Sequence, residues 1–307
     1  MVQIGNFYYF FFIGIATGVI TGLYFLLRNR SRKVQYNTLC VILFLNLGLH
    51  FIKLLFPPYR YEFPQSWEKI TFINICAAST LLFPFIFLIK KHTVLHDYMY
   101  FIGFCGGFGA LILPTEAIGK SPFVFDVIRF YLCHMTLISV PLLAAMLNVY
   151  RPRLEKAYAI PLLFLAHETI IFINEIILVS SGLIECTTAE FFDRAFRNSS
   201  FIFGPLPEAD GIAGIITILV PRVFTQDLFG INGGVGFYWP IVWLVIPALI
   251  YLPLSYIILA APFSRKKRIR SAMKKRLQAE ELSPSPDVAY EAAIETEDET
   301  EWLPEAK

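Results

Sequence analysis

Seven stretches of this chain are apolar for about 20 residues each, the length a helix needs to cross the hydrocarbon of a bilayer. They run over residues 7–27, 38–56, 70–89, 98–115, 125–149, 158–181 and 237–261. Within lipid a lone segment satisfies its backbone hydrogen bonds only as a helix. The expected fold is therefore all-α, a polytopic membrane helix bundle of seven transmembrane helices. Composition agrees: 56% of the 307 residues are hydrophobic and 16% charged, with a mean hydropathy of +0.59. A soluble domain carries about 25% charged residues.

The connecting segments set an expected orientation. RNRSRK (28–33), KKHTVLHD (90–97), YRPRLEK (150–156) and SRKKRIRSAMKKR (264–276) hold four, two, three and eight Lys or Arg. The other side has only Arg60, Lys69, Lys120, Arg194, Arg197 and Arg222. Basic residues stay on the cytoplasmic side, so the N-terminus is expected outside and the C-terminus in the cytoplasm of a multi-pass cell-membrane protein. The leading MVQIGN has no basic residue, and arginines follow the first apolar run, so that run reads as a retained span rather than a signal peptide.

The chain divides on this reading into a membrane domain, 1–263, and a cytoplasmic segment, 264–307. The domain includes a long outer loop, 182–236, whose GIAGIITILVP (211–221) is too short to span and is expected to be re-entrant or interfacial. Arg265, Lys266, Lys267 and Arg268 suit contact with anionic lipid headgroups, though a plain stop-transfer signal is the favoured explanation of the run. From about residue 277 the tail is polar and acidic and is expected to be disordered. Membrane lipids are the expected partners. No block of basic and aromatic residues suggests nucleic acid, and the oligomeric state is open.

Ionisable groups inside spans are costly, and they are functional or paired. With the orientation above and a rise of about 1.5 Å per residue, they gather in the outer half of the bundle. Asn46, His50 and Lys53 share a face of the second span. Thr71, Asn74 and Cys76 lie near the outer end of the third. Asp126 and Arg129 begin the fifth, with Cys133 and His134 deeper, where Cys133 reads as a packing residue. His167, Glu168, Asn174 and Glu175 form a stripe on the sixth. Four helices with polar groups at similar depth predict one shared cavity. A plainer reading pairs Lys53 or Arg129 with Glu168 or Glu175 to hold the bundle.

That cavity can support chemistry. Cys76 and His134 lie on different spans within about 5 Å of the same depth. A thiol beside a base is a nucleophile, Arg129 or Lys53 adds positive potential, and Asn74 can bind a developing oxyanion. A lone cysteine in a span is also a common packing residue. Asn74 and Cys76 are two apart, so a regular helix turns them to opposite sides, and they share a cavity only if the helix starts late or is distorted.

Other templates fail. GxSxG, HExxH and P-loop patterns are missing. Cys40, Cys76, Cys105, Cys133 and Cys186 include no CxxC, so neither a disulfide framework nor a structural zinc site is expected. His134, His167 and Glu168 make a weak metal set from two helices. The last span has no lysine for a retinal Schiff base. No cofactor is expected.

Three segments carry a resemblance: TFINICAAS (71–79), FIGFCGGFGALILPT (101–115) and IRFYLCHMTLISVPLLAAMLNVYRPR (128–153). They resemble the YwaF family of integral membrane proteins, with Cys76 in the third span, Gly106, Gly109, Ala110, Leu111 and Pro114 in the fourth, and His134 in the fifth. Asn74 stands where bacterial members often have histidine, and Cys133 where serine is common. That family is similar to an animal transmembrane acyltransferase that remodels ether phospholipids through a cysteine in an N-P-C-H-like motif. Asn74 and Cys76 match the first and third positions of that motif, while Ile75 and Ala77 replace the proline and histidine.

The resemblance implies acyl transfer or ester hydrolysis on a lipid, with Cys76 as nucleophile and His134 as base. Two alternatives remain. One is a non-enzymatic transporter or sensor of a small polar or anionic ligand held by His50, Lys53 and Arg129. The other is a structural membrane component whose basic segment and acidic tail form the contact surface.

Overall fold

The computed structural model describes residues 1–198, 200–207 and 210–281. The site lies within one compact unit, Met1–Ala261. The helices are α1 (Phe7–Leu27), α2 (Arg32–Ile52), α3 (Ile75–Leu88), α4 (Val94–Ile112), α5 (Phe125–Met146), α6 (Ala159–Ser180), α7 (Thr188–Phe191), α8 (Asp210–Thr217) and α9 (Val245–Glu281). Among the described residues the β structure is a single bridge between Val2 and Ile118.

Among the described residues five helical stretches are both long and apolar enough to cross a membrane: α1, α2 extended through Leu55, α5, α6 and Val242–Phe263. α3 is apolar but has only 14 residues. The expected span at 70–89 is cut short at its start. Thr71 Oγ1 donates to the Glu68 carbonyl at 2.7 Å, and the extended Asn74 caps the helix, its Oδ1 accepting from the Ala77 N–H at 2.7 Å. Short polar side chains compete for backbone groups in this way and stop a helix.

α4 begins before the expected residue 98. The Thr93 N–H donates to His96 Nδ1 at 3.2 Å in a capping box, which starts the helix at Val94 and takes Asp97 into its first turn.

α5 is the central helix: 78% of its apolar window is buried, against 17% for α1 and 28% for α2 and α6. Its closest neighbour is α4, through two small residues one turn apart. A Cβ at Gly107 would stand 2.9 Å from the His134 carbonyl oxygen, and one at Gly103 would stand 2.5 Å from that of Leu137. Glycines at i and i+4 let helix backbones approach in this way. α1 lies against the other flank of α5, where the Phe12 and Tyr131 rings stack at 3.9 Å.

Residues after α6 pack back on the bundle. Ile202 and Phe203 form a buried cluster with Ala78 of α3 and Ile171 of α6. The 211–221 stretch contains α8, with Ile215 and Ile218 exposed. α9 runs to Glu281, so residues 277–281, read above as the start of the tail, are helical because the helix continues past its apolar part. The rest of the tail and the side chains of Arg265, Lys266, Lys267 and Arg268 lie outside the described part.

Candidate functional site

A cavity of about 420 Å³ opens where the end of α2, the starts of α3 and α5 and the segment after α4 converge. Its walls include His50, Lys53, Asn74, Cys76, Arg129 and His134. The late start of α3 is what brings Asn74 and Cys76 to one wall: Asn74 is the cap, outside the helical turn that carries Cys76.

His167, Glu168, Asn174 and Glu175 do not line this cavity, contrary to the expectation of one chamber shared with the sixth span. Residue spacing sets depth along a helix, while packing sets which way its face turns. His167 Nδ1 meets the Tyr98 hydroxyl at 2.7 Å. Asn174 donates to Thr71 Oγ1 at 3.0 Å. Glu175 pairs with Arg197 through two contacts of 3.2 Å. Glu168 is fully buried, and neither carboxyl oxygen has a hydrogen-bond partner among the described residues. The expected pairing of Lys53 or Arg129 with Glu175 is thus replaced by Arg197, a residue of the segment after α6.

The cavity's polar groups are held from several elements. Arg129 donates to Asp126 Oδ1 at 3.0 Å, to the Tyr59 hydroxyl at 2.9 Å and to Glu116 at 3.4 Å. Lys120 pairs with Asp126 at 2.6 Å, and the Tyr59 hydroxyl also donates to Asp126. The Tyr59 ring lies between two cations, 5.6 Å from Lys53 Nζ and 5.5 Å from the Arg129 guanidinium. Burial raises the Tyr59 phenol above its ordinary range, against the pull of Arg129. Lys53 is buried, donates to the Lys69 carbonyl, touches His50 Nδ1 at 3.5 Å and has no carboxylate partner among the described residues.

Cys76 and His134 border neighbouring glycines of α4, Gly106 and Gly107 respectively. A Cβ on Gly106 would stand 3.8 Å from Cys76 Sγ, and one on Gly107 would meet the His134 backbone. His134 Nδ1 lies 2.7 Å from the Phe130 carbonyl. A carbonyl only accepts, so Nδ1 carries the proton and Nε2 of the neutral ring keeps its lone pair. In the first turn of α3, Ile75 N–H donates to Ser200 Oγ at 3.0 Å, Ala77 N–H to Asn74 Oδ1, and Ala78 N–H to the Asn74 carbonyl at 2.9 Å. The Cys76 N–H has no acceptor among the described residues. Cys133 is buried against Thr80 Oγ1 at 3.2 Å and Asn46 Nδ2 at 3.9 Å.

Sequence reasoning missed Tyr59, Glu62, Lys69, Glu116 and Lys120, which connecting segments bring to the cavity. No spacing pattern marks them. It also missed Gly103 and Gly107, which the G-x-x-x-G spacing in FIGFCGGFG would have found. Among the described residues no three His, Cys, Asp or Glu side chains converge to hold a metal.

Residues 3–201 match the model of the TMEM164 family, and the chain belongs to that family. No curated protein and no solved structure matches it.

Proposed function

We propose that this member of the TMEM164 family transfers or hydrolyses acyl esters of membrane lipids, with Cys76 as nucleophile and His134 as general base. The observation that carries this reading is that Cys76 and His134, from two different helices, line one cavity at the end of the bundle. The likeness to the YwaF family and to the ether-phospholipid acyltransferase supports the same chemistry. The reading takes α3 and α4 as the remaining two of seven spans. It places the cavity on the outer side, where the sparsely basic loops attach.

In this mechanism His134 Nε2 takes the thiol proton as Cys76 Sγ attacks the ester carbonyl. The tetrahedral oxyanion accepts hydrogen bonds from the Cys76 N–H and from Asn74 Nδ2, whose Oδ1 is already committed to the helix. Collapse breaks the ester C–O bond, and His134 returns the proton to the leaving alcohol. The thioester then passes its acyl group to a lysolipid hydroxyl or to water, which regenerates the thiol.

The test is labelling in native membranes with a lipid-like electrophile. Wild type is compared with Cys76→Ser, Cys133→Ser and His134→Ala. The expected result is labelling lost in Cys76→Ser, reduced in His134→Ala and kept in Cys133→Ser. Even labelling of all cysteines, indifferent to His134, would remove the enzyme reading.

One observation favours a second reading, the transport or sensing of a small anionic ligand: the buried Lys53 lines the cavity and has no carboxylate partner among the described residues. In that case Cys76→Ser binds the ligand as wild type does, and Lys53→Gln does not.

A further inference from the structure

The outer loop between α6 and α9 reaches the α3 terminus that carries Cys76, and it does so with defined contacts. Arg197, held at φ 52°, donates to Glu68 at 2.6 Å on the 3-10 turn before α3 and to both oxygens of Glu175 on α6. Asn198 shapes the turn that follows: its amide donates to the carbonyls of Arg194 and Gly204, at 3.1 and 2.8 Å, and its Oδ1 accepts from the Phe203 N–H at 3.0 Å. Ser200, 2% exposed, takes the Ile75 N–H. Ile202 and Phe203 then pack on Ala78, and Trp243 Nε1 donates to the Phe201 and Ile202 carbonyls at 3.0 and 3.1 Å.

We infer that Arg197 and Ser200 are positioning residues that set the orientation of Cys76 by clamping the first turn of α3 from the outer loop. The inference rests on the reading of Cys76 as nucleophile. Four backbone N–H groups begin any helix without an internal acceptor. Here Asn74 Oδ1 takes the Ala77 N–H and Ser200 Oγ takes the Ile75 N–H next to Cys76, while the Asn74 carbonyl accepts the first helical bond, from Ala78. The Cys76 N–H has no acceptor among the described residues and is directed by the same turn that holds its thiol. Arg197 fixes this arrangement against α6. A planar guanidinium with a two-point carboxylate contact does so with a geometry that an ammonium cannot copy. The long loop is on this view an anchor packed against the bundle rather than a cover that swings away.

The test uses the full chain in native membranes and the lipid-like electrophile, reading the rate and pH profile of Cys76 labelling together with thermal unfolding. Ser200→Ala is expected to slow Cys76 labelling on the order of tenfold, the scale of one hydrogen bond, at temperatures well below its unfolding. Ser200→Thr is expected to restore it. Arg197→Ala is expected to slow labelling and move its pH profile, and Arg197→Lys to restore it only in part. If Ser200→Ala and Arg197→Ala unfold earlier yet label Cys76 at the wild-type rate and pH profile, the loop is merely structural and the inference is overturned while the enzyme reading stands. If wild-type labelling itself ignores His134, the enzyme reading falls and the clamp falls with it.

Discussion

Two buried aspartates each meet an arginine and a tyrosine hydroxyl, Asp97 in the first turn of α4 and Asp126 in the first turn of α5. Asp97 is fully buried and saturated. Arg153 donates Nε and Nη2 to Oδ2 at 3.1 and 2.7 Å, and the Arg153 N–H and the Tyr256 hydroxyl reach Oδ1 at 2.9 and 3.0 Å. The network joins α4, the segment after α5 and α9, and the Tyr256 hydroxyl also contacts the Arg153 carbonyl at 3.1 Å. The group around Asp126 has the same residue types but borders open space, and among the described residues the buried Arg129 Nε has no acceptor. The first arrangement fastens three parts of the chain. The second lines a cavity with room for a ligand beside its charged groups. Residue identity does not distinguish them; the space beside them does.

The largest expected effect breaks the saturated member of this pair. Asp97→Ala strands the Arg153 guanidinium, and breaking a buried ion pair costs about 3–5 kcal/mol. Thermal unfolding in detergent should fall sharply, and more for Arg153→Gln than for Arg129→Gln. Equal falls would mean that both groups are fasteners.

A smaller loss is expected at the α4–α5 seam. Gly107→Ala puts a methyl against the His134 backbone, and overpacking costs about 1–3 kcal/mol, together with slower Cys76 labelling. Gly109→Ala, where a Cβ meets nothing within 4 Å, is the control and should behave as wild type.

The smallest effect is a pH dependence of the loop contact. Burial pushes the Glu68 carboxyl up, but its bonds to Lys69 and Arg197 outweigh this and hold it below the usual glutamate range. A carboxylate with a lowered folded value stabilises above its unfolded value, about 4.3, and loses that contribution as pH falls through the folded one. Wild type should therefore lose an unfolding-temperature advantage over Glu68→Gln as pH drops from 6 to 3. A constant gap would show that the Arg197 contact adds nothing through charge.

Much of this molecule was legible in its sequence. The periodicity of apolar runs located every long helix, because about 20 residues without charge can rest only in lipid or in a core. α1 starts and ends where the composition says. That His50, Lys53, Asn74, Cys76, Arg129 and His134 lie at one level of the bundle was legible because depth follows from a constant rise per residue, and they line one cavity. The α6 stripe satisfied the same criterion and still faces elsewhere. Its azimuth depends on how α6 packs against α4 and the segment that follows α6, and no local spacing encodes that.

What the sequence determined alone is the class of solvent this chain requires, the approximate place of each helix, and a small set of ionisable residues too costly to bury without a reason. What only the tertiary structure decided is which of them meet. Asn74 had to stop a helix for Cys76 to share its wall. Two glycines had to let α4 and α5 touch for His134 to stand nearby, and a loop more than a hundred residues away had to supply Ser200. Local propensity acts within a few bonds along the chain, whereas these contacts join residues far apart in sequence and exist only once the helices have packed.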